Sequence, residues 1–348
     1  MHDLIVSGAG PVGLAVAISA ARRGWDVVLV DPVDGTIDKA CGEGLMPAGV
    51  EILLSLGAEA PRHHAFDGIR YVRGPRHADG LFKDGPGWGI RRTELHRVLD
   101  EAAAKAGVLR VRGHVTSVVQ HDDHVEALGR KARWLVAADG LRSPMRQHLG
   151  LETPRVRSPR FGIRRHFAVA PWSDKVEVHW ADDAEAYVTP VDDELIGVAF
   201  LFGESARTAD QGSKLPPYER MLQRFPDLAE RLVHPASAVR GAGPFGIEVS
   251  ARVVGRVLLA GDAAGYLDPL TGEGIKLGMA GAMALVDCLH RGRPQDWEAA
   301  WHGLFDPYER ATGRLLTLTH PVFIRRVMVP FLRLFPFVFE RVLDNLAH

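Results

Sequence analysis

Three glycines near the start of the chain, Gly8, Gly10 and Gly13, stand at the spacing Gly-x-Gly-x-x-Gly, directly after the apolar run Leu4-Ile5-Val6. The chemistry of that spacing is phosphate binding. Gly8 lets the backbone leave a strand, Gly10 removes the side chain that would block a pyrophosphate, and Gly13 lets the next helix pack closely on the sheet. Pro11 and Val12 open that helix, whose free N–H groups and dipole favour an anion. Asp31 ends the following apolar run, Val27-Val28-Leu29-Val30, where a carboxylate accepts hydrogen bonds from ribose hydroxyls. A second acid at a strand end appears far along the chain. Gly261-Asp262 follows Val257-Leu258-Leu259-Ala260 and leads through Pro269-Leu270-Thr271-Gly272-Glu273-Gly274-Ile275 into another helix with exposed amides. The two stretches together account for an extended dinucleotide.

The elements that must position these residues follow from the hydrophobic pattern. Strands are expected over Leu4–Ser7, Asp26–Val30, Val108–Arg112, Val115–Gln120, Val125–Leu128, Trp134–Ala138 and Arg256–Ala260, with Asp122-Asp123 as a hairpin turn. Helices are expected over Val12–Arg23, over Pro47–Leu56 with Gly57 as its stop, and over Thr93–Ala106, whose Leu95, Val98, Leu99 and Ala102 recur at helical spacing. From Phe161 to Phe202 the pattern alternates, which predicts an antiparallel sheet covering a site on one face. Pro217–Val233 is expected to be helical with a break at Phe225-Pro226. The reading is an α/β fold in which a Rossmann-like dinucleotide domain, residues 1–160 and 240–300, is interrupted by a substrate-binding sheet domain, residues 60–90 and 161–239. Residues 301–348 form a C-terminal helical cap.

Composition narrows the function classes. At 348 residues and 46% hydrophobic content, the chain buries a large core, and its net charge of −1 offers no field for nucleic acid. Two cysteines make no disulfide framework, and no signal peptide precedes the first strand, so a cytoplasmic location is expected. His121-x-x-His124 has no third ligand at a suitable spacing, so no metal site is expected. The apolar runs near the C-terminus are too short to span a bilayer, though Arg325, Arg326, Arg333 and Arg341 among Phe and Leu residues suit a membrane surface as well as a cap over a cavity.

With its motifs in order, the chain resembles the flavoprotein monooxygenase superfamily typified by p-hydroxybenzoate hydroxylase, together with geranylgeranyl reductases and flavin halogenases. The motifs are Gly8-x-Gly10-x-x-Gly13, Arg92-x-x-Leu95, Asp139-Gly140-x-x-Ser143-x-x-Arg146, and Gly261-Asp262 with Pro269 and Gly272-Glu273-Gly274. The resemblance implies a glutathione-reductase-type fold holding FAD, with NADPH or NADH as reductant. It places Asp262 on the ribityl chain, the amides of Gly272, Gly274 and Ile275 at the flavin ring, Arg92 against the FAD and the Val115 backbone near the adenine. Asp139 would support the cofactor domain and is linked to the pyridine nucleotide in such proteins. Two reactions are implied. The leading one is NAD(P)H-dependent hydroxylation of an aromatic or polyketide-like compound through a flavin C4a-hydroperoxide, favoured because Tyr187-Val188-Thr189-Pro190 lacks the tryptophan that prenyl reductases carry there. The other is reduction of a carbon–carbon double bond in a prenyl or other lipophilic substrate, towards which Lys39-Ala40-Cys41-Gly42-Glu43-Gly44 and Pro269–Ile275 point. A non-catalytic flavin-binding redox sensor is the third reading. The halogenase Trp-x-Trp-x-Ile-Pro signature is absent.

For catalysis the candidates are Cys41, Tyr187 and Lys276, and for the substrate His179, Arg164 and His166 on the expected roof sheet. Lys276, a charge in an otherwise apolar helix, is expected to raise the flavin potential by favouring the anionic reduced ring. The partner called for is a hydrophobic small molecule, and the oligomeric state stays open.

Overall fold

The computed structural model describes residues 1–153, 159–209 and 213–347. β1 (His2–Ser7) is apolar from Leu4 to Val6 because it runs through the middle of a covered sheet, paired in parallel with β2 (Val27–Asp31) and β11 (Arg130–Ala137). Beyond β2 lies β8 (Leu109–Arg112), and beyond β11 lie β18 (Val257–Leu259) and β17 (Val253–Val254). β9 (Val119–Gln120) and β10 (Val125–Ala127) extend antiparallel from β11. α1 (Pro11–Ala21) packs on this sheet and against α3 (Arg92–Lys105) and α8 (Gly274–His290). Leu4, Val6, Leu14, Val28, Leu135, Leu285 and Trp297 are fully excluded from solvent between them, each contributing about 1.5–3 kcal/mol of burial.

The second sheet runs in the order β16 (Arg240–Ala242), β12 (Arg160–Phe167), β15 (Leu195–Gly203), β14 (Ala184–Asp192), β13 (Val176–Trp180), β5 (Gly68–Arg73) and β6 (Arg76–Leu81). The alternation from Phe161 to Phe202 becomes antiparallel strands, but the sheet is mixed, since β5 pairs with β13 in parallel. Arg240–Ala242 close its edge beside β12, so the chain returns to the first sheet only after Ala242 rather than at 240. A small third sheet, β3 (Gly44–Leu45), β7 (Gly87–Gly89) and β4 (His64–Phe66), sits where the two larger sheets meet.

Period-two geometry fixes what each face of the second sheet carries. Arg164, Ala199, Tyr187 and Val178 are mutual partners across β12, β15, β14 and β13, so Arg164, Tyr187 and Val178 share one face. The opposite face packs Phe200, Phe202, Tyr218, Phe225 and Leu228 against α5 (Glu204–Thr208), α6 (Pro217–Leu222) and α7 (Pro226–Ala229). The break at Phe225-Pro226 falls between α6 and α7, and helix does not continue to Val233. α2 (Pro47–Ser55) packs on α8, and Gly57 at φ +79° follows its end. α4 (Pro144–His148) follows β11. The chain closes with α9 (Asp296–Thr319), α10 (Val322–Leu334) and α11 (Pro336–Ala347), of which the last two lie along β6.

The expected strand over Val115–Gln120 exists only at Val119–Gln120. Residues 114–118 run instead as an irregular connection with Val115 and Val118 buried in the core.

Candidate active site

The Gly-rich turn takes the shape its residues demand. Gly8 stands at φ +100°, and a side chain there would collide with the Ala138 carbonyl at 2.4 Å; one on Gly13 would meet the Gly8 carbonyl at 1.8 Å. Gly10 differs. A Cβ there would meet nothing closer than Arg92 Nη2 at 3.9 Å, so its missing side chain leaves open space above the N-terminus of α1 rather than relieving a contact. Asp31 stands at the end of β2 and ties the turn down, its Oδ2 accepting the Ala9 N–H at 2.8 Å and its Oδ1 the Val33 N–H at 2.9 Å. Val12 fills the hollow left by Gly261 and Gly278, where added Cβ atoms would stand 2.9 and 2.6 Å from its methyl carbons. That close approach holds α1 against α8.

Facing this turn are the ends of β11 and β18. Asp139 Oδ2 accepts the Met145 N–H at 3.1 Å, so Asp139 serves the turn into α4, where the Ser143 hydroxyl caps Arg146 N. Arg146, which the sequence reading quoted without a role, is fully buried and bridges this turn to the next strand end. Its guanidinium donates to Leu141 O at 2.7 Å, Ala263 O at 3.3 Å and Asp262 O at 3.4 Å. Burial pushes the Asp262 carboxyl above its ordinary value of 3.8, against the opposing pull of Arg92, Lys39 and Arg146. After Pro269 the chain turns at Gly272, φ +74°, whose N–H donates to Pro269 O at 3.0 Å. Gly274, Ile275 and the first turn of α8 follow, with Gly274 seated against the Tyr266 ring.

Between the two glycine turns runs the Lys39–Gly44 segment. Glu43 adopts φ +61° and turns its fully buried carboxylate inward. There Oε1 accepts the Arg92 N–H at 2.8 Å and Oε2 lies 2.7 Å from His166 Nε2. Arg164 donates to Asp38 Oδ1 at 2.5 Å and Lys39 O at 3.0 Å, and Thr189 Oγ1 donates to Gly42 O at 2.7 Å. The second sheet therefore grips this loop from behind. The Glu43 N–H donates to Cys41 Sγ at 3.3 Å, and burial pushes the Cys41 thiol above its ordinary value, with Arg92 pulling the other way. Glu43, Thr189, Asp38 and Arg146 were given no role in the sequence; the density of charge and glycine around Cys41 signalled Asp38 and Glu43, and the Asp139–Arg146 motif signalled Arg146.

Several expectations need correction. His179 points from β13 to the far face, where its Nε2 meets Glu177 Oε2 at 2.9 Å beside a cavity of about 380 Å³ lined by Arg70, Trp172 and Arg231. Strand parity puts it one residue off the face that carries Val178 and Tyr187. Arg164 and His166 are on the facing side, yet both are consumed in holding the 38–43 loop. The Tyr187 hydroxyl donates to Leu270 O at 2.7 Å and burial pushes its pKa well up, so it anchors the 268–272 loop. Lys276 is buried rather than free, its Nζ 2.5 Å from Glu273 Oε2, which neutralises the cation expected beside the ring. For His121 and His124 a third ligand type does exist: Glu126, on β10, brings all three donors within 4.8 Å of one another. Lys131 already holds that carboxylate at 2.8 Å.

A dinucleotide fits what is present. Arg92 Nε is buried without a partner among the described residues and its guanidinium borders the open space over Gly10, as a pyrophosphate site requires. Added Cβ atoms on Gly42 and Gly272 would likewise meet nothing within 4 Å. A parallel sheet presenting two helix N-termini and a strand-end acid beneath a second sheet is the design of an FAD-dependent oxidoreductase. The chain belongs to the FAD binding domain family, which matches residues 1–293. It is 30% identical to a menaquinone reductase of Mycobacterium tuberculosis (strain ATCC 25618 / H37Rv), over 92% of this chain and 85% of that protein. It is also 30% identical to digeranylgeranylglycerophospholipid reductase 1 of Methanothermobacter thermautotrophicus, over 81% and 75%. A rifampicin monooxygenase of Rhodococcus hoagii is 28% identical over 82% and 63%. Among solved structures, a flavoprotein/dehydrogenase from Cytophaga hutchinsonii shares the fold with a TM-score of 0.77 at 21% identity, over 99% and 98%. The halogenase PltM, in complex with phloroglucinol and FAD, shares it with a TM-score of 0.79 at 17% identity, over 94% and 78%.

Proposed function

We propose that the protein saturates a carbon–carbon double bond in a lipophilic, prenyl-type substrate. The observation that carries this reading is the place of the Cys41 thiol, an S–H group on the 39–44 loop between the two glycine turns, with Sγ accepting the Glu43 N–H at 3.3 Å. Saturating a double bond requires a hydride at one carbon and a proton at the other. FAD held at the Gly10 and Gly272 turns would supply the hydride when reduced. Cys41 Sγ–H gives its proton to the second carbon, and the thiolate left behind regains a proton from bulk solvent once the product has left and the site reopens. The Glu43 carboxylate, held by Arg92 N and His166, fixes the loop that carries the thiol. Tyr187 fixes the opposing loop at Leu270, and the buried sheet face above both excludes water.

The aligned menaquinone and digeranylgeranylglycerophospholipid reductases support this reading. The rifampicin monooxygenase, aligned over less of its own length, favours a second one, hydroxylation with electrons from NADH or NADPH. The two part over oxygen. Protein reduced with dithionite is mixed anaerobically with a menaquinone. Oxidised flavin should return without oxygen, alongside a product that stays heavier by H2 after air has reoxidised its ring to the quinone, and Cys41→Ser should slow formation of that product by about 10²–10⁴-fold, as expected of a general acid. A flavin that reoxidises only with oxygen, alongside a product heavier by one oxygen atom, would overturn the reading in favour of hydroxylation.

A further inference from the structure

The C-terminal helices carry a surface that the active site does not use. Among the described residues, eight of the seventeen exposed large apolar side chains fall between Leu318 and Phe337. Phe323 is 69% exposed, Leu334 75% and Phe337 65%, with Phe331 and Phe335 between them. A contiguous patch of this kind is uncommon on a monomer and marks a contact surface. Among the described residues, no single helix is long and apolar enough to cross a membrane. α9 and α10 pass on length and composition only as a pair, bent by 108°, and α9 is pinned into the core by the buried Trp297 and Trp301. What remains is the outer ridge of α10 and α11, whose inner faces place Val329, Leu332 and Phe339 on Val178, Trp180 and Leu270.

Charge selects the occupant. The chain as a whole carries −1, yet residues 314–341 hold five arginines against the single acid Glu340. Arg325 is spent internally on Glu185 at 2.8 Å, and Arg326 pairs with Asp182 at the rim. Arg333 on α10 and Arg341 on α11 stand exposed, and so does Arg314 on α9. Aromatic and leucine side chains facing outward, with arginines beside them, match a lipid surface in which apolar groups enter the acyl boundary and guanidinium groups stay at anionic headgroups.

We infer that α10 and α11 seat the protein on an anionic bilayer, lying in the interface plane. The surface is joined to the reaction loop. Arg325 on α10 holds Glu185, Arg160 bridges Glu185 to Asp268, and Leu270 of the same loop packs under Val329 and Leu332. A substrate drawn from the bilayer would therefore reach the loop from beneath these helices. The surface itself is argued without reference to the reaction, and binding is measured without turnover, so failure of one reading leaves the other standing.

The test is cosedimentation of the FAD-loaded protein with vesicles of phosphatidylcholine alone or mixed with phosphatidylglycerol. Binding to the mixed vesicles, weakened by salt, is expected. Arg333→Gln and Arg341→Gln should each lower it about fivefold, and Phe323→Ser with Phe337→Ser should abolish it, with flavin content unchanged in every variant. Absence of binding to the mixed vesicles, or equal binding to both vesicle types with no effect of the arginine variants, would overturn the inference. So would a concentration-dependent dimer that the Phe variants dissolve, since the ridge would then be covered by a second copy.

Discussion

At Gly10 and Gly13 an added side chain acts through different physics. Gly13→Ala drives a methyl into the Gly8 carbonyl, 1.8 Å away, and should destabilise the protein whether or not FAD is bound, by at least the ~1–3 kcal/mol typical of overpacking. A Cβ added at Gly10 meets no protein atom closer than 3.9 Å, so the Gly10→Val apoprotein should melt close to wild type while flavin is absent after purification. Equal melting losses in both variants would show that Gly10 does not face the cofactor. Asp262 carries a pH dependence. Burial raises its carboxyl in the folded apoprotein, so folding favours the protonated form, and a stability penalty develops as pH climbs from the ordinary carboxyl range through the raised value and is complete above it. Asp262→Asn removes that penalty. At neutral pH the variant apoprotein should be more stable than wild type to urea, while FAD binding weakens by about 1.5–3 kcal/mol through loss of a charged acceptor. An apoprotein destabilised at neutral pH would contradict the sign.

Elements here are joined less by their length than by buried charge. Arg160 on β12 pairs with Glu185 on β14 and, at 2.9 Å, with Asp268 in the loop before α8; Arg325 on α10 completes the set. Asp268 also accepts the Leu270 N–H at 3.0 Å, and its carbonyl accepts the Tyr308 hydroxyl of α9 at 2.7 Å. Arg160→Met removes the buried cation that joins Glu185 to Asp268 and should cost about 3–5 kcal/mol in denaturant unfolding. Arg326→Gln breaks a rim pair with Asp182, 60% and 40% exposed, and should cost at most about 1 kcal/mol. Comparable losses would mean that the inner network contributes no more than a surface pair.

For the whole molecule, the proposed FAD site draws on distant parts of the chain: Gly10 at the start of α1, Gly272 before α8, and the 39–44 loop gripped by the second sheet through Arg164, His166 and Thr189. A ligand contacting all three couples the unfolding of both sheets. FAD at about 100 times its dissociation constant should add about 2.7 kcal/mol to stability and give a single calorimetric transition. Two separated transitions in the loaded protein would show that the sheets unfold independently of the cofactor.

The Gly-rich turn, the strand-end acids Asp31 and Asp262 and the alternation of the second sheet were legible in the sequence because each depends on local geometry. A turn that leaves a strand needs glycine at fixed spacings, and a half-buried strand must alternate whatever it packs against. The helix over Pro47–Ser55 and its stop at Gly57 belong with them. What a side chain does once it arrives was decided elsewhere. His179 and Tyr187 read alike as strand residues, yet the pairing of β13 with β14 sends one to the far face and the other to Leu270. The Lys276–Glu273 pair, by contrast, was open to the sequence as a one-turn neighbour of the helix, whereas Glu43 read as a loop acid until folding closed His166 and Arg92 around it. Spacing along a chain fixes which neighbours share a turn or a face. Partners more than a hundred residues apart are chosen by strand order and register, which only the packed sheets set.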